Sequence, residues 1–115
     1  MEKKKSFANI EREKKEQILN VFETYLDDDS NTVAIGIIDN AAFQYAILHE
    51  LQAEIRATGC IDTYQNGKGQ SGTKDSAALR AYNNTIKSYN ATMKILLGML
   101  PKDKRSELDD GFDKF

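Results

Sequence analysis

Cysteine is nearly absent from this chain. Cys60 is the only one, which excludes an intramolecular disulfide and any metal site built from the thiolates of one chain. Proline occurs once, at Pro101, and glycine seven times, too few turn residues for a sandwich of many short strands. There is no tryptophan and one histidine, His49. No stretch approaches the ~18 to 20 apolar residues of a membrane span, and the N-terminal "MEKKKSFANIEREKKEQ" lacks the apolar run of a signal peptide. The expectation is an intracellular protein with no membrane partner.

What the 115 residues do contain is 40% hydrophobic and 30% charged side chains, the balance of an ordinary helical protein rather than a disordered one. The formal net charge of −2 conceals a segregation. Residues 1–26 carry six Lys/Arg against five acids, 27–58 one against six, 59–105 eight against three, and 106–115 one against four. Because phosphates respond to the local field of a patch, this asymmetry says more about partners than the total does.

Helical spacing is the main signal along the chain. Ile10, Ile18, Leu19, Phe22 and Leu26 predict a first helix over 7–26, whose polar first half is expected to fray or project. "DDDSNT" reads as a break that Ser30 can follow with a cap, and "VAIGII" (33–38) reads equally as a turn of helix or a buried extended link. A second helix is predicted over 39–59, with Asp39 or Asn40 accepting first-turn amides and Gly59 as a left-handed stop. Its apolar stripe reads Phe43, Ile47, Leu51 and Ile55, widened by Leu48, with Glu50, Glu54 and Arg56 outside it. Asn66-Gly67 then signals a tight turn in a two-stranded ribbon or structured loop.

Ser76 is placed to cap a long third helix that Pro101 ends. Leu79, Tyr82, Ile86, Tyr89, Met93, Leu96 and Leu100 alternate spacings of three and four, an uninterrupted heptad seam. A helical hairpin, with the third helix folded back on the second, is the simplest use of it. Apolar residues off the seam, such as Leu97, predict side-by-side association into a homo-oligomer. The predicted fold class is therefore all-α: an N-terminal helix and linker (1–38), an antiparallel hairpin core and oligomerisation region (39–100) joined by a short ribbon or loop, and a short C-terminal helix or tail (101–115).

The polar side of the third helix carries Arg80, Lys87 and Lys94, each seven residues from the next, and no acid lies between Ser76 and Pro101. Seven residues advance a helix by ~10.5 Å, so the three cations form one line. Lys102, Lys104 and Arg105, with Lys68 and Lys74, extend a strip suited to a polyanion, and Asn83 and Asn90 run beside it with amides that suit phosphate or base edges. The N-terminal Lys3, Lys4, Lys5, Arg12, Lys14 and Lys15 alternate with five acids, which fits a salt-laced helix or a DNA-contacting tail.

Catalytic signals are weak. His49 stands without a second His, Cys or Ser at a recognisable spacing. Asp27 to Asp29 lack the pattern of a calcium loop, and "NGKGQSG" (66–72) has no Gly-Lys-Ser/Thr at phosphate-loop spacing. No metal, cofactor or enzymatic role is expected.

Several features come in a particular order: an acid-capped helix ending in glycine (39–59), "NGKGQ" (66–70), a small-residue cap (76–78), Tyr82-Asn83 and Tyr89-Asn90 seven apart, "LLGMLP" (96–101) and Arg105. Over about two-thirds of its length the chain thereby resembles the small terminase subunits of long-tailed phages and related prophages. The chain departs from that family at "KDSAA" (74–78), where a proline is common. The resemblance implies a non-catalytic factor of the host cytoplasm that forms rings, binds double-stranded phage DNA and hands it to the large terminase subunit, which carries the ATPase and nuclease. Phosphate contacts by Arg80, Lys87, Lys94, Lys102, Lys104 and Arg105 are expected from charge placement alone. The competing expectation is a helical oligomeric interaction module with no nucleic-acid role.

Overall fold

The computed structural model describes residues 5–25, 28–66 and 69–101. Three helices and a two-stranded antiparallel ribbon follow one another: α1 (Phe7–Phe22), α2 (Asp28–Thr58), β1 (Ile61–Asn66), β2 (Gln70–Asp75) and α3 (Ala77–Gly98). At ~1.5 Å per residue α2 is roughly 46 Å long and α1 roughly 24 Å, so α1 can accompany only part of α2. The molecule is accordingly long and narrow, 64 × 34 × 24 Å.

Local chemistry sets the ends of these elements. The Ser6 hydroxyl accepts from the Asn9 amide at 3.1 Å and opens α1, and the Ser76 hydroxyl does the same for α3 through the Leu79 amide at 3.0 Å. Gly59, with φ 88°, stops α2, its amide still bonded to the Ile55 carbonyl at 2.7 Å. β1 and β2 pair from Ile61 opposite Asp75 to Asn66 opposite Gln70, and the Ser76 amide donates to the Cys60 carbonyl at 2.8 Å to close the base of the ribbon. Asn66 is thus the last paired residue of β1 rather than the corner of a two-residue turn. Gly69, just before β2, is left-handed at φ 78°, a conformation that glycine adopts without a side-chain clash.

α2 is the central element and differs most from the sequence reading. It begins at Asp28, so 33–38 is helix, Asp39 and Asn40 lie mid-helix rather than at a cap, and the division drawn at residue 38 falls inside one element. Its buried residues are Ala34, Ile38, Ala41, Ala42, Ala46 and Leu48, while Phe43, expected in the stripe, is 46% exposed. Both differences have one cause. Two helices pack on α2 at once, α1 and α3, and alanines let two neighbours approach closely where larger side chains would hold them off. Gly36 is tolerated within the helix at a cost of about 1 kcal/mol relative to alanine.

α1 does not project. Ile10, Lys14, Ile18 and Phe22 are buried along its whole length, and the Phe7 ring meets Phe43 edge-on at 5.4 Å. The main core lies where all three helices meet: Ile18 and Phe22 of α1, Ala34, Ile38 and Ala41 of α2, Met93 and Leu96 of α3, and Leu100 just beyond its end. At the other end α2 and α3 continue as a two-helix arm, linked by a hydrogen bond from Gln52 Nε2 to Tyr82 Oη at 3.3 Å. The seam follows this division. Met93, Leu96 and Leu100 are buried, whereas Leu79, Tyr82, Ile86 and Tyr89 are half-buried. The predicted short C-terminal helix lies outside the described residues, as do Lys102, Lys104 and Arg105.

Candidate nucleic-acid interface

Because the seam turns one side of α3 toward α2, the heptad offset turns Arg80, Lys87 and Lys94 the other way, and all three are exposed. Asn83 and Asn90 are exposed beside them. Among the described residues none of the three cations forms a salt bridge; the two pairs present are Lys5 with Glu13 at 2.9 Å and Lys15 with Asp39 at 2.7 Å. The row spans ~21 Å from Arg80 to Lys94, on a rigid helix whose opposite side is packed. This is a positively charged edge with no nearby carboxylate on its own element.

The other cations are placed differently. Lys74 lies on the ribbon, across the ladder from Asp62. In α1, Lys5 and Lys15 are held by the carboxylates just named. Lys14 is only 2% exposed, with its Nζ 4.2 Å from the centroid of the Tyr45 ring. This is the salt-laced arrangement rather than a free basic arm, for the described part of that segment.

Lys14 belongs to a polar-aromatic cluster that the sequence reading missed. Tyr45 lies against Tyr89 of α3 at 6.1 Å and near His49 at 6.5 Å, centroid to centroid. A cleft of about 280 Å³ opens between α1 and α2 beside Lys5, Glu13, Lys14, Gln17, Tyr45 and His49. Burial pushes the Lys14 ammonium down to about 8, and burial, with the Tyr45 phenol second, pushes the Tyr89 hydroxyl up to about 12. Lys14 sits four residues from both Ile10 and Ile18, on their stripe, and a cation at an apolar position was the signal available. Elsewhere on α2 the buried Gln44 Oε1 has no hydrogen-bond donor among the described residues.

Among the described residues no three His, Cys, Asp or Glu side chains are grouped to hold a metal ion, and no helix is long and apolar enough to cross a membrane. No family model, curated protein or solved structure matches this chain.

Proposed function

We propose that this chain is a non-catalytic, DNA-binding assembly factor that works as a small terminase subunit. Its copies associate through the helical hairpin, bind double-stranded phage DNA in the host cytoplasm and present it to the large terminase subunit. The observation that supports this reading best is the exposed row of Arg80, Lys87 and Lys94, without an ion-pair partner among the described residues. The resemblance in motif order points the same way.

Three cations on one chain give a feeble site. Repetition around an assembly, ring-like in this reading, multiplies weak phosphate contacts into a strong one, so the net charge of −2 is no obstacle. Lys102, Lys104 and Arg105 would add contacts to DNA or to the large subunit. The test is a mobility shift of duplex DNA by the assembled protein across a salt series. Binding at low salt that weakens steeply with added salt, and is lost in the Lys87→Glu/Lys94→Glu variant, supports the role. An assembly indifferent to DNA at every salt concentration makes the chain an interaction module instead.

A further inference from the structure

The face of α2 turned away from α3 carries Asp39, Phe43, Ile47, Glu50 and Glu54, spaced by fours and a three. α1 borders its beginning, where Lys15 pairs with Asp39 and the Phe7 ring meets the edge of Phe43, and α2 itself contributes only apolar side chains and acids there. Phe43 is 46% exposed, an unusual position for so large an apolar ring. The exposed side of α3 has the opposite character, with Arg80, Lys87 and Lys94 beside the small Ala91 and an Ile95 that is 57% exposed.

The two faces also match in height. Within the hairpin, Gln52 is level with Tyr82 and Tyr45 with Tyr89, so each step forward along α2 is one step back along α3. Glu54 then stands at the height of Arg80, Ile47 at that of Lys87, Phe43 at that of Ala91, and Asp39 at that of Lys94 and Ile95. Inside one chain these side chains point apart and do not meet. They meet when a second copy stands alongside with its hairpin parallel and at the same height.

We propose that the outer face of α2 docks on the cationic side of α3 of a second copy. In that contact Glu54 faces Arg80, Phe43 enters the gap that Ala91 leaves beside Ile95, and Lys94 joins Asp39, which Lys15 already holds at 2.7 Å. Each copy offers two different faces, so the contact is heterologous and repeats from copy to copy. This rests on the self-association in the function proposed for the chain, and it divides the basic row. Arg80 and Lys94 serve assembly at its two ends, while Lys87 between them lays its aliphatic stem along the apolar Ile47 and carries its ammonium out to the rim of the contact, where phosphate can reach it.

A charge swap tests this, read as molar mass by light scattering at low salt, with helicity and melting checked because every altered residue is exposed. Glu54→Arg and Arg80→Glu should each weaken association about tenfold, by replacing attraction with repulsion at one site. The double variant Glu54→Arg/Arg80→Glu should recover association to near wild type, and Ala91→Trp, which fills the gap, should abolish it without unfolding the chain. Single variants that assemble like wild type, or a swap no better than either single, would overturn the proposal. DNA binding separates it from the packaging function: assembly that follows the swap pattern but ignores DNA keeps this contact and removes the packaging role. A wild type that binds DNA while remaining monomeric removes the contact and keeps the DNA site.

Discussion

Lys14 shows how one residue can make the fold depend on pH. Its ammonium is buried against the Tyr45 ring, and its pKa falls from 10.5 to about 8. Between those values the unfolded chain holds a proton that the folded chain has released, so stability rises with pH across that window. The full effect is about 3 kcal/mol, at ~1.4 kcal/mol for each tenfold weakening of proton affinity. Tyr89 acts in the opposite sense. With its pKa raised from 10.0 to about 12, the folded chain keeps a proton that the unfolded chain loses, and stability falls as pH rises through that range. Chemical denaturation should therefore show stability climbing from about pH 8 and turning over near pH 10. Lys14→Met should be more stable than wild type at pH 7 and should lose the climb. A flat profile in both proteins would mean that the ammonium is solvated in solution.

At the scale of elements, α3 does two different jobs along its length. Its last turns close a three-helix core in which Leu96 is fully buried, while its first turns lie on α2 alone. Leu96→Ala should cost about 3 to 4 kcal/mol, as large-to-small changes in a packed core do, and Ile86→Ala nearer 1 kcal/mol. Thermal or urea unfolding of the two variants measures the difference. Equal costs would show that the arm is as well packed as the core. The seam itself was legible because its seven large apolar residues leave no other period, and the caps at Ser76 and Gly59 were legible because each has a single mechanism. The start of α2 was not. Asp27 to Asp29 and Gly36 carry the signature of a break, and the contacts that hold 33–38 helical come from Ile18, Phe22 and Leu96, remote in sequence. A stripe lined by Ala34, Ala41, Ala42 and Ala46 carries little hydrophobic signal, so Phe43 dominates the pattern although the fold leaves it at the surface. Of the candidate site, the cationic row could be read from its spacing alone. The acids on α2 that stand level with it could not, because that match exists only once the antiparallel register of α2 and α3 is known.

For the whole molecule, assembly and DNA binding have separable salt signatures. If Lys87 is the phosphate contact, the charge-neutral Lys87→Gln should reduce the slope of log K against log salt by about 0.9 for each phosphate no longer engaged, measured on protein whose molar mass is followed alongside. If the slope is unaffected, phosphate is engaged elsewhere on the chain. The shape has a consequence of its own. One end is three helices thick, while the other is two helices carrying a ribbon, so amides should exchange with deuterium at graded rates. Protection should be deepest around Ile38 and Leu96 and should decline toward Thr58, Ala78 and the strands, where opening breaks few apolar contacts. The thick end then acts as a fixed hilt, and the slender end, the last part to settle and the first to loosen, is where a neighbour's grip would be felt as added rigidity.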